Sequence, residues 1–91
     1  MNLANTVLLI TGGTGSFGHA VLDRFLTTDI REIRILSRDE KKQDDMRHAY
    51  QKWNPQYADK IKFYIGDVRD YRSIVPAFRG VDFVFHAAAL T

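Results

Sequence analysis

Ninety-one residues, 45% of them hydrophobic and 26% charged, with a formal net charge of +2, describe one small globular domain or a piece of a larger one. That balance excludes collagen-like, coiled-coil and disordered classes and makes no electrostatic case for a nucleic-acid partner. With no cysteine to form a disulfide framework or thiolate metal site, and with Val7 to Ile10 too short for a signal-peptide core or a membrane span, the expectation is a soluble cytoplasmic protein without a membrane partner.

The first predicted element is a strand over Thr6 to Ile10, β-branched and leucine-rich without polar alternation, which suits a strand buried on both faces of a parallel sheet. From Ser16 a helical stripe follows through Phe17, Val21, Leu22, Phe25 and Leu26. Glu32 to Ser37 reads as the second strand. Asp39 and Glu40 suit the first turn of a helix whose stripe is Met46, Ala49, Tyr50 and Trp53, and Asn54-Pro55 ends it. Ile61 to Ile65 reads as the third strand, after which Asp70 is a candidate cap for a helix with Tyr71, Ile74, Val75 and Phe78 on one face. Pro76 removes a backbone donor, so that helix is expected to be short, kinked or begun near Ser73. Gly80 closes it and Val81 to His86 forms the fourth strand. Alternating β and α elements predict an α/β, Rossmann-type parallel sheet, and right-handed crossovers predict the strand order 3-2-1-4.

The segment "ITGGTGSFG", Ile10 to Gly18, lies where the first strand hands over to the first helix. Gly12, Gly15 and Gly18 fit G-x-x-G-x-x-G, while Gly13, Gly15 and Gly18 fit G-x-G-x-x-G. Both readings produce a phosphate cradle in which backbone N–H groups and the helix dipole converge on an anion. A nucleoside-triphosphate loop is disfavoured, because His19-Ala20 stands where Lys followed by Ser or Thr is needed. The alternative is a glycine turn that only lets the helix pack on the sheet.

At the end of the second strand, where an NAD enzyme carries an acid for the ribose 2′-hydroxyl, the chain has Ser37-Arg38. A hydroxyl and a guanidinium can bind a 2′-phosphate that a carboxylate would repel, which implies NADP. Lys41 is read as part of a solvated mixed-charge face. Asp67 could accept from an adenine amino group or simply bond its own turn. Small residues after His86 would let a flat ring approach between strands one and four. His86 itself is read as a satisfied core histidine and Trp53 as packing; no residue is read as a metal ligand.

"TGGTGSFG", "SRDEKKQ", "GDVRD" and "HAAAL", in this order and spacing, resemble the extended short-chain dehydrogenase/reductases along the whole chain, and among them the bacterial UDP-N-acetylglucosamine 4,6-dehydratases of capsule and O-antigen synthesis. Some relatives of that group carry a UDP-glucose 4-epimerase label. The resemblance implies that Thr14, Gly15, Ser16 and Phe17 lie along a pyrophosphate and that Ser37, Arg38 and Lys42 take the 2′-phosphate. It further implies that Asp67 and Val68 flank the adenine and that Ala87, Ala88 and Ala89 border the nicotinamide ribose. The implied chemistry is hydride transfer from the sugar C4 to NADP⁺, loss of water across C5 and C6, and return of the hydride to C6, with C5 epimerised in some members. It requires a Tyr-x-x-x-Lys pair, absent from these 91 residues, and Thr91 stands where a lysine usually follows "AAAL". The expectation is therefore residues 1–91 as the NADP-binding N-terminal part of a UDP-sugar enzyme, truncated before its catalytic and sugar-binding portion and prone to homo-oligomerise. A UDP-glucose 4-epimerase-like enzyme, a non-catalytic NADP-sensing module and a remnant that keeps only the fold are the alternatives.

Overall fold

The computed structural model describes residues 2–87. Four parallel strands, β1 (Val7–Thr11), β2 (Glu32–Ser37), β3 (Ile61–Ile65) and β4 (Phe83–His86), form one sheet in the order β3-β2-β1-β4. The helices are α1 (Ser16–Leu26), α2 (Glu40–Trp53), the short α3 (Pro55–Ala58) and α4 (Tyr71–Phe78). The strand order is the expected one.

Period-two alternation along the central strands splits the apolar residues between two layers. Leu8, Ile10, Ile33, Ile35 and Ile61 pack with Val21, Leu22 and Leu26 of α1 and Met46 and Tyr50 of α2. On the other face Leu9 and Leu36 meet Ala77 of α4, a much thinner layer. There Arg34 compensates with polar links, its Nη1 donating to the carbonyls of Ala77 (2.9 Å) and Arg79 (2.5 Å) at the end of α4.

Several local expectations change. The first strand runs one residue later than expected, to Thr11, because Gly12 N–H still pairs with the Leu36 carbonyl at 2.8 Å. The fourth begins at Phe83 rather than Val81, since the Asp82 side chain leaves the strand pattern to accept from Val7 N–H at 2.8 Å. Asn54-Pro55 ends α2 as expected, yet Pro55 at once opens α3, a position where its missing N–H costs nothing. Trp53 is 72% exposed rather than packed. In α4, which begins at Tyr71 and is short as expected, Ala77 is the buried residue while Tyr71 and Phe78 of the predicted stripe face outward.

Candidate functional site

The carboxyl ends of β1, β2 and β3 meet on one edge of the sheet, and the turns leaving them carry most of the candidate residues. Gly12 follows β1 with φ of +66°, a left-handed conformation that glycine adopts without strain. At Gly18, in the first turn of α1, an added Cβ would stand 2.5 Å from the Gly13 backbone, so this glycine is required for the helix to fit the loop. Gly15 differs from both. Its φ is −79°, and a Cβ there would meet nothing nearer than the Gly12 carbonyl at 3.6 Å, so the protein's own packing makes no demand for glycine.

Gly15 is also the N-cap of α1, and no side chain caps that end. By contrast Asp39 caps α2, accepting from Lys42 N–H at 2.9 Å, and Asp70 caps α4, accepting from Arg72 N–H at 3.2 Å. The first-turn donors of α1 are thus uncapped beside a residue with no side chain to block approach, an arrangement that fits a phosphate group. Thr14 is partly buried, and Ser16 and Phe17 are exposed along the same turn. Phe17 leans edge-on against Phe85 of β4, their ring centroids 5.3 Å apart.

At the end of β2, Ser37 is buried and its hydroxyl accepts from Asp39 N–H and Gln43 Nε2, each at 3.2 Å, while its own proton is donated to no partner among the described residues. Arg38 is 66% exposed and reaches toward the end of β3, its Nη1 lying 3.7 Å from Asp67 Oδ2. Lys42 is exposed one turn into α2, and Lys41 pairs with Asp45 at 3.3 Å on the solvated face. Asp67 bonds its own turn, accepting from Arg69 N–H at 2.9 Å, and the Arg69 guanidinium grips the same carboxylate. These bonds, and then the nearby Arg38 charge, hold the Asp67 carboxyl at about 2, below the usual carboxylate range. Val68 is exposed beside it.

At the end of β4, Ala87 N–H donates to the Thr11 carbonyl at 2.8 Å, and the His86 ring is hydrogen-bonded to the Thr11 hydroxyl. His86 is satisfied, as expected, but exposed rather than in the core. Ala88 and Ala89 lie outside the described residues. The structure therefore gathers Gly12 to Gly18, Ser37, Arg38, Lys42, Asp67, Val68 and Ala87 along one edge. It also adds Gln43, which sequence reasoning missed: buried in α2, it donates to the Tyr64 carbonyl at 2.7 Å and so ties the Ser37 turn to β3. Its spacing was a usable signal, since Gln43 stands three residues before Met46 and seven before Tyr50 on the same helix face, but its polarity set it apart from the apolar stripe.

Residues 8–91 match the family described as polysaccharide biosynthesis protein. The chain is 68% identical over 87 residues to a UDP-glucose 4-epimerase of Rickettsia akari, covering 91% of this chain and 24% of that protein. It therefore spans about a quarter of the length of the curated relatives it matches. Among solved structures, Pen from Bacillus thuringiensis is similar at 31% identity with a TM-score of 0.85, covering all of this chain and 27% of that one. A short chain oxidoreductase from Pseudomonas aeruginosa, at 20% identity and a TM-score of 0.69, covers 81% of this chain and 27% of its own and shares the fold.

Proposed function

The chain belongs to the polysaccharide biosynthesis protein family, and from that premise we propose that it is the NADP-binding part of an enzyme that oxidises a UDP-sugar at C4. The observation that carries this reading is the uncapped start of α1 at Gly15, with Arg38 at the carboxyl end of the neighbouring strand. In this reading the N–H groups at Ser16, Phe17 and Gly18 hold the pyrophosphate, and Arg38, with Lys42 and the Ser37 hydroxyl proton, holds the 2′-phosphate. Asp67 and Val68 border the adenine, and Ala87 lies toward the nicotinamide end, which the dinucleotide would use to supply a hydride acceptor. Without Tyr-x-x-x-Lys, none of these 91 residues takes the proton from the sugar 4-hydroxyl.

Two products are compatible with oxidation at C4. The motif resemblance favours loss of water, giving a 4-keto-6-deoxy sugar from UDP-N-acetylglucosamine. The name carried by the Rickettsia relative favours inversion at C4 of UDP-glucose. Mass spectrometry of the product formed by the longer protein separates them, since dehydration removes one water and epimerisation leaves the mass unchanged. For the cofactor, calorimetric titration of NADP⁺ and NAD⁺ should give NADP⁺ the advantage by about tenfold or more, lost in Arg38→Ala, because a charge-assisted bond is worth roughly 1.5 to 3 kcal/mol. Equal affinities in the unsubstituted chain would overturn the assignment.

A further inference from the structure

We propose that Arg69 is a specificity-determining residue of the cofactor site: by occupying the Asp67 carboxylate, it leaves the Arg38 guanidinium available to a 2′-phosphate. The inference rests on the NADP reading above and goes beyond it, because Arg69 lies in the turn after β3 and is not among the residues that reading gives to the cofactor.

Two cations lie within ion-pair distance of Asp67 among the described residues, and they hold it very differently. Arg69 uses its planar fork. Its Nη2 donates to Oδ2 at 2.8 Å and its Nε reaches Oδ1 and Oδ2 at 3.1 and 3.2 Å, while its backbone N–H adds a bond to Oδ1 at 2.9 Å. Arg38 approaches only to 3.7 Å and forms no side-chain hydrogen bond among the described residues. The Arg69 contacts are two positions apart in one turn, so little chain entropy is spent on forming them, whereas Arg38 must reach across from another strand.

The consequence is electrostatic. A carboxylate beside a phosphate site is unfavourable for a second anion, and a carboxylate that also engaged Arg38 would withdraw the one guanidinium at the end of β2. With Arg69 bound to it, the Asp67 charge is compensated and the Arg38–Asp67–Arg69 group keeps a net positive charge. The low Asp67 titration is consistent with this, since its largest causes are the side-chain and backbone bonds from Arg69 and the Arg38 charge contributes least. Without Arg69, the remaining cation would be drawn to the carboxylate.

The test compares 2′,5′-ADP with 5′-AMP, probes that differ in the 2′-phosphate alone and need only the adenosine side of the site. Affinities are measured by calorimetry at low salt on the 91-residue chain and on Arg69→Gln, Asp67→Asn/Arg69→Gln and Arg69→Lys. The unsubstituted chain should prefer 2′,5′-ADP. Arg69→Gln should reduce that preference by about two- to fivefold, the range of an exposed ion pair, and the double substitution should restore it because the rival carboxylate is gone. Arg69→Lys keeps the charge without the fork and should fall between, which provides the same reading if the glutamine variant does not fold. No preference in the unsubstituted chain would overturn the NADP reading itself. A preference that survives Arg69→Gln unchanged, or one that falls and is not restored by Asp67→Asn, would overturn the role of Arg69 while leaving the NADP reading intact.

Discussion

Gly15 and Gly18 stand three residues apart in one motif, and the structure separates their reasons for being glycine. A methyl group at Gly18 would collide with the Gly13 backbone, while one at Gly15 would make only an ordinary contact with the Gly12 carbonyl at 3.6 Å. Gly18→Ala is therefore expected to destabilise the fold by about 1–3 kcal/mol. Gly15→Ala is expected to leave the melting temperature almost unchanged while weakening dinucleotide binding by about tenfold or more, one lost charge-assisted contact. Thermal unfolding alongside calorimetry decides it, and equal destabilisation by both substitutions would contradict the argument. Asp67 offers a second test at this scale. Its folded titration lies at about 2, below the ordinary 3.8, so the stabilisation it contributes is present above pH 3.8 and is lost as pH falls through about 2. Arg69→Gln should raise the Asp67 midpoint in a carboxyl NMR titration and flatten the acid dependence of stability across that window. An unmoved midpoint would show that the fork contributes little.

Among the elements, α2 depends on a contact that its charge pattern conceals. Asp39 at its cap and Met46 and Tyr50 on its buried face follow from helix chemistry and period, but Gln43 is buried for its bonds to Ser37 and the Tyr64 carbonyl. Gln43→Ala should cost about 2–3 kcal/mol in urea unfolding, from the cavity and the two lost side-chain hydrogen bonds together; a cost below about 0.5 kcal/mol, typical of surface sites, would show the latch to be idle. Pro76 tests α4 in the opposite direction. It lies in the sixth position of an eight-residue helix and supplies no N–H, so Pro76→Ala should stabilise the chain by about 1 kcal/mol. A destabilised variant would mean that the ring's restriction of the unfolded chain outweighs the missing bond.

For the whole molecule, the uneven sheet decides behaviour. β2 and β1 are central and buried, while β4 is an edge on which Phe83 and Val84 are 57% and 49% exposed. An apolar edge strand with unpaired backbone groups is a template for association. The 91-residue chain is expected to self-associate with rising concentration in light scattering, and Val84→Lys to suppress it; a chain that stays monomeric at high concentration would contradict this. Lacking Tyr-x-x-x-Lys, the same chain should form no product from NADP⁺ and UDP-N-acetylglucosamine, and catalytic appearance of a sugar lighter by one water would show that a base was overlooked.

The order of strands and main helices, the parallel sheet and the strand order were legible in the sequence, though the short α3 was not, because strand burial, helical period and glycine spacing are local signals, and crossover handedness does the rest. The cap at Asp70 was legible for the same reason, whereas Asp39, expected within the first turn of α2, stands just before it as its cap. What tertiary structure alone decided is how groups distant in the chain compete for partners. Arg38 and Arg69 are 31 positions apart in sequence, yet both address Asp67, because the pairing of β2 with β3 in register, Ser37 beside Ile65, brings the ends of the two strands together. Likewise the exposure of Trp53 and Tyr71 depends on which layers exist to cover them, and an apolar pattern records the capacity to be buried without recording what lies opposite.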